Sequence, residues 1–172
     1  MSEVISQWYG RAYHALDVQN RLTIPKGIQH LLQGTFVVFA PVLSIKDEEI
    51  AHLIIMPIDD YEDYRERLAD HYEGDALDFR LDLLSGYSET MTLVGGKITI
   101  DAELCKYAKL DGKSRVVIVG HGNSFKLWSE EKLAERNKKE LKKLAERNMQ
   151  ELEKPDGDKG VSVLSRKRRD RT

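Results

Sequence analysis

The 172-residue chain holds a single cysteine, Cys105, which excludes an internal disulfide framework and any cysteine-based zinc cluster. It also lacks long apolar runs. None approaches the roughly 20 residues that a bilayer helix needs. Met1 to Gly10 has neither the basic start nor the apolar block of a secretory signal. Aromatic residues make up 8% of the chain, yet hydrophobic residues reach 41%, enough for a folded core and against wholesale disorder. The 33% charged share points to large solvated surfaces. The chain is expected to be soluble and cytoplasmic, with no membrane partner, as one domain or two small ones.

Signatures of catalysis are missing too. Gly95-Gly96-Lys97 suggests a phosphate loop, but that motif needs a glycine where Met91 stands and Ser or Thr where Ile98 stands. The five histidines show no metal-ligand spacing. His121 reads as a hairpin-turn residue, Asp59-Asp60 as a helix cap and Cys105 as a small core residue. No catalytic residue, metal site, cofactor or small-molecule substrate is expected.

Charge is unevenly spread. The net charge of −2 conceals a first stretch, residues 1–46, with four Lys/Arg against two Asp/Glu. Residues 47–82 carry three against thirteen, and residues 83–172 carry twenty against fourteen. A phosphate backbone responds to local basic density within a Debye length of about 8–10 Å. A nucleic-acid partner therefore stays open, provided that the acidic stretch faces away from it.

Two halves share one order of elements. In the first, Arg21-Leu22-Thr23-Ile24 alternates with strand spacing after a turn at Gln19-Asn20, and Pro25 opens a helix through Ile28, Leu31 and Leu32. Strands at Phe36–Phe39 and Leu53–Met56 follow, then an amphipathic helix through Ile58, Tyr61, Tyr64 and Leu68. In the second, Gly95-Gly96 turns into Lys97-Ile98-Thr99-Ile100, and a short helix runs from Ala102 to Tyr107. Strands at Arg115–Val119 and Phe125–Trp128 come next, with a helix starting near Ser129. Lys97 lies 76 positions after Arg21, and the repeated order implies an internal duplication. Between the halves, Asp75 caps a predicted helix that stops at Gly86. In the last helix, Lys132-Leu-Ala-Glu-Arg-Asn137 recurs eleven residues later at Lys143–Asn148. The repeat puts Leu133, Leu141, Leu144 and Leu152 on one stripe of a long helix, with at most slight right-handed supercoiling. Pro155–Gly160 breaks structure, and the basic run from Arg166 to Arg171 reads as a disordered tail, for phosphate attraction or for solubility.

The strongest binding signal is Asp17-Val18-Gln19-Asn20-Arg21. A tight turn here projects an arginine with a carboxylate across from it. The guanidinium fork matches phosphate or guanine, and a carboxylate would hold it in one orientation. Lys26 lies nearby and Lys97 takes the corresponding place in the second half. A two-stranded ribbon fits the major groove. Alone, the pattern is unspecific, since Asp–Arg pairs across hairpins are more often surface structure.

The segment Gly10-Arg-Ala-Tyr-His-Ala-Leu-Asp-Val-Gln-Asn-Arg-Leu-Thr-Ile-Pro25 resembles the opening of the MraZ transcriptional regulators, with their Asp-x-x-x-Arg followed by Leu-x-Ile-Pro. Leu53–Pro57 with Tyr61, Leu83–Gly86, Leu110–Lys113, Val116–Gly120 and Phe125–Trp128 match the family in order and spacing, over roughly residues 8–135. The resemblance implies an α+β fold of duplicated swapped-hairpin β-barrel modules of the SpoVT–AbrB type, with flanking helices, that assembles into a ring. It implies a first module at 11–59, a helical connector at 60–86, a second module at 87–130, a C-terminal helix at 131–154 and a basic tail at 155–172. It further implies a nucleoid-associated homo-oligomer that binds repeated promoter sites and represses the division and cell-wall gene cluster containing its own gene. The DNA-contacting pair maps onto Asp17 and Arg21, with Lys26 and Arg11 as further contacts. The second copy maps onto Leu93 and Lys97, where bidentate geometry is lost and the charge kept, which implies a phosphate contact. Asp101 stands where the family often has a small residue before proline. Residues Pro41 to Ala51 read as an insertion, and the tail after about Glu140 is longer than usual.

Two other readings compete. One is an oligomeric protein-interaction scaffold whose leucine-striped C-terminal helices dock a partner. The other is an antitoxin-type repressor with a related hairpin, disfavoured because such proteins usually carry one module.

Overall fold

A computed structural model describes residues 7–41, 51–112 and 115–152. The basic tail and nearly all of the Pro41–Ala51 insertion lie outside the described residues. The chain divides into two compact units, 1–137 and 138–172.

Most expected elements form. The strands at Trp8–Ala15 and Ser88–Thr92 are not among those expected from the sequence, and the helix expected after Pro25 is a 3₁₀ turn. In chain order the elements are β1 (Trp8–Ala15), β2 (Arg21–Thr23), a 3₁₀ turn (Lys26–Leu32), β3 (Thr35–Phe39) and β4 (Leu53–Pro57). Helices α1 (Ile58–Leu68) and α2 (Gly74–Gly86) lead to β5 (Ser88–Thr92), β6 (Lys97–Thr99) and α3 (Ala102–Tyr107). The chain continues through β7 (Arg115–Gly122) and β8 (Ser124–Ser129) into α4 (Glu130–Leu152).

Six strands form one antiparallel sheet in the order β1-β7-β8-β4-β3-β5, and β2 pairs with β6 as a separate ribbon. The sheet is open, with β1 and β5 at its edges, so the expected closed barrel is not formed. Pairing between the halves is crossed. β1 pairs along its length with β7, from Trp8 opposite Gly122 to Ala15 opposite Arg115. β5 pairs with β3, from Ser88 opposite Phe39 to Thr92 opposite Thr35. The first strand of each half thus lies against a strand of the other half. The two expected hairpin turns do form, but β2 and β6 leave them to pair with each other.

Both turns follow from local chemistry. Asn20 adopts φ 57°, and its N–H bonds Asp17 O at 3.0 Å while Asp17 N–H bonds Arg21 O at 3.1 Å. This is a tight turn closed by a left-handed residue, a conformation that asparagine tolerates. Gly95 and Gly96 both have positive φ, 58° and 74°, as a two-residue turn of mirror-image type requires.

Burial explains the register of the ribbon. Leu22 and Ile98 face each other and, with Ile24 and Ile100, are at most 2% exposed. They join Phe36, Val38, Leu53, Ile55, Val116, Ile118, Phe125 and Leu127 in one core. Each such burial contributes about 1.5–3 kcal/mol. The other faces of β3 and β4 place Val37, Phe39 and Ile54 against Tyr61 of α1 and Leu84 of α2, so β3 is buried on both faces. Leu133 of α4 packs on Val117 and Trp128.

Several local expectations shift. Pro57 rather than Asp59-Asp60 caps α1, and the two aspartates fill its first turn, where the helix dipole favours them. Glu73 precedes α2 and Asp75 lies in its first turn. Asp101 is the true side-chain cap, accepting from Glu103 N–H at 2.8 Å at the start of α3. Ser129 ends β8, and His121 lies in β7 opposite Ser124, so the reversal falls at Gly122-Asn123. Cys105 is buried, and desolvation pushes its thiol up to about 11. No helix among the described residues is long and apolar enough to cross a membrane.

Candidate nucleic-acid interface

Because Leu22 and Ile98 point into the core, period-two alternation sends Arg21, Thr23, Lys97 and Thr99 to the opposite, exposed face. A one-residue slip would bury Arg21 and expose Leu22, so the register is strongly specified. Arg21 stands opposite Thr99, and Thr23 opposite Lys97. The ribbon is clasped at both ends: Ile24 N–H bonds Gly96 O at 2.8 Å and Ile100 N–H bonds Asn20 O at 3.0 Å. These two bonds, and the pairing between them, map onto each other under the 76-residue shift. Arg21 and Lys97 therefore occupy corresponding ends of a locally two-fold ribbon.

Asp17 organises the Arg21 end. Its Oδ1 accepts from Gln19 N–H at 2.8 Å and from Arg21 N–H at 3.0 Å, and its Oδ2 accepts from Arg21 Nε at 2.6 Å. The Arg21 backbone N–H is the main cause holding the Asp17 carboxyl below its ordinary value. Desolvation opposes it, and the Arg21 side chain and Gln19 N–H add to the lowering. The Arg21 side chain remains 44% exposed, and Nη1 and Nη2 bond no partner among the described residues. One edge of the guanidinium is thus anchored and the other is presented to solvent.

The remaining residues singled out by sequence are dispersed. Lys26 opens the 3₁₀ turn just after Pro25 and is exposed. Arg11 lies in edge strand β1, in the other sheet, between exposed Tyr9 and Tyr13 on the same face. Sequence reasoning overlooked Thr23 and Thr99, although the matching Arg-Leu-Thr-Ile and Lys-Ile-Thr-Ile would have marked both hydroxyls. Arg115 is engaged internally: its Nε and Nη2 donate to Glu130 at 2.8 and 2.6 Å, and its guanidinium lies over Tyr13. The acidic residues Asp59 to Asp82 belong to α1, α2 and the link between them, and none lies on the ribbon. Among the described residues no group of three or more His, Cys, Asp or Glu is placed to hold a metal ion.

These features define an α+β protein with an open antiparallel sheet and a small ribbon that displays an oriented arginine. No family model matches the chain. It is 33% identical over 129 residues to "Transcriptional regulator MraZ" of Oenococcus oeni, covering 73% of this chain and 83% of that one. The protein of the same name from Dictyoglomus thermophilum is 33% identical over 133 residues, 76% of this chain and 85% of that one. That from Shewanella baltica is 32% identical over 122 residues, 67% and 75%. The chain belongs to the MraZ family of transcriptional regulators.

Proposed function

We propose that this protein is a sequence-specific DNA-binding transcriptional repressor that acts as a ring-shaped homo-oligomer on repeated promoter sites. The observation that carries the reading is Arg21, gripped through Nε by Asp17 while its Nη edge stays exposed on a two-stranded ribbon. A ribbon of this width enters the major groove, and the free fork suits guanine O6 and N7. Lys97, at the corresponding end, offers a point charge for a phosphate, and Lys26 and Arg11 add further phosphate contacts. The residues' role is recognition, with no chemistry on the nucleic acid. Crossed pairing of β1 and β5 and the 76-residue correspondence support duplicated, swapped-hairpin modules. Membership of the family supports a nucleoid-associated regulator of the division and cell-wall gene cluster that contains its own gene. One ribbon supplies few contacts, so multiplication around a ring is what makes binding firm.

The test is a gel-shift assay at fixed salt on the DNA upstream of the protein's own gene. Arg21→Ala should weaken specific binding by about tenfold or more, since a bidentate pair supplies roughly 1–3 kcal/mol. Its mass by light scattering should be unchanged. Undiminished preference for the upstream DNA over random duplex would overturn the assignment.

A further inference from the structure

The sheet face turned away from the ribbon is only partly covered. Leu133 of α4 packs there on Val117 and Trp128, and α1 and α2 pack on β3 and β4. The rest of β7 and β8 leaves a basic patch open. Lys126 stands opposite Val119, and His121 opposite Ser124 and Tyr9. Period two puts Lys126 on the same face as Trp128, and the Arg136 guanidinium lies 5.1 Å from the Trp128 ring centroid. Burial first, then Lys126 and Arg136, hold the His121 imidazole below its ordinary value, and burial and Arg136 act likewise on Lys126. The carboxylates around the patch are engaged: Arg115 holds Glu130, Lys132 holds Glu135 and Asn123 holds Asp60. Exposed Glu131, two positions before Leu133, lies on the opposite face of α4. The patch therefore keeps its positive charge. Arg11 continues the Val119–Lys126 row at the sheet edge and is left to the DNA contact proposed above.

Helix α2 presents the opposite chemistry. Leu77, Arg80, Leu81 and Leu84 recur at helical spacing on its covered side. Arg80, the only cation in α2, lies 3.9 Å from the Tyr72 ring centroid. The other side carries Asp75, Asp78, Phe79 and Asp82, all exposed, with Phe79 at 58%. We propose that this stripe of α2 docks on the Lys126–Arg136 patch of a second copy of this chain. Asp78 and Asp82 are one helical turn apart, about 6 Å, so together they face the two adjacent cations. Phe79 meets Val119 of the partner subunit, with Tyr9 of the partner subunit, 72% exposed, at the border. Aromatic groups supply the holding energy, and complementary charge chooses the partner. Helix α1 does not serve, because Arg65 and Arg67 stand among its acids. The stripe points away from its own sheet, so stripe and patch join different copies. Such a contact is head-to-tail, the kind that closes rings. The inference rests on the ring proposed above and names the faces that form it.

Light scattering on the full-length protein is the test. Lys126→Glu with Arg136→Glu reverses the patch, and Asp78→Lys with Asp82→Lys reverses the stripe. Each variant by itself should lose the parent's mass and have that of a lone subunit, because like charges then face each other. Mixed in equal amounts, the two should regain the lost mass, since every contact again joins opposite charges. A basic tail or DNA as the occupant of these faces predicts no such recovery. Should the patch variant fail to fold, Lys126→Glu alone, with Arg136 left on Trp128, takes its place and must show the same loss and recovery. Parent mass in both variants, or loss without recovery in the mixture, would overturn this contact and leave an oligomeric parent's ring standing. A parent of single-subunit mass would remove ring and contact together.

Discussion

A carboxylate that accepts three N–H groups is worth more as a clamp than as an ion pair, since exposed pairs contribute little to stability. Asp17 fixes both the turn and the Nε edge of Arg21. Its folded-state carboxyl is held low, mainly by the Arg21 backbone N–H. For a depressed carboxylate, the stabilising contribution is present above the ordinary carboxylate range and is lost as pH falls through the folded-state value. Nuclear magnetic resonance should find the Asp17 titration midpoint below that of an unfolded reference. In Asp17→Asn, the urea midpoint should fall less between neutral and acidic pH than in the parent protein. An equal fall would show that the clamp contributes nothing. Lys97 makes a different kind of contact in the proposed complex. Lys97→Ala should reduce the slope of log affinity against log salt by about 1, with sequence preference kept. An unchanged slope would remove its phosphate role.

Elements came through the sequence better than their partners did. Alternation in Arg21–Ile24 and Lys97–Ile100 located β2 and β6 and their inward faces, and Asn20 and Gly95-Gly96 located the turns. The Asp17–Arg21 contact was legible because it is local, four residues apart across a turn. That Lys97 shares its ribbon was not legible, because period two says which face is buried but not which distant strand lies alongside. The open sheet was hidden as well, because alternation does not say whether the outermost strands pair with each other or remain edges. Gly120 shows what pairing demands of single positions. A Cβ there would lie 2.5 Å from Trp8 Cε3 and 2.5 Å from Trp8 O, so β1 itself would have to move. Gly120→Ala should destabilise the fold by roughly 1–3 kcal/mol, read as a lower urea midpoint.

At the scale of the molecule, crossed pairing within one chain has its own consequence. Neither half can be removed without stripping the other of ladder partners: β1 would lose β7, β3 would lose β5, and β2 would lose β6. A fragment ending at Gly86 should be insoluble or aggregated when made alone, its orphaned strands seeking any available edge. Co-expressed with the fragment beginning at Tyr87, it should return to solution as a stoichiometric pair, measurable by co-purification. A first half that folds by itself would refute this. On the proposed duplication, a primordial gene encoding only one half would have made a protein viable solely as an intertwined couple, and fusion of two copies would have turned that partnership into a single inheritance.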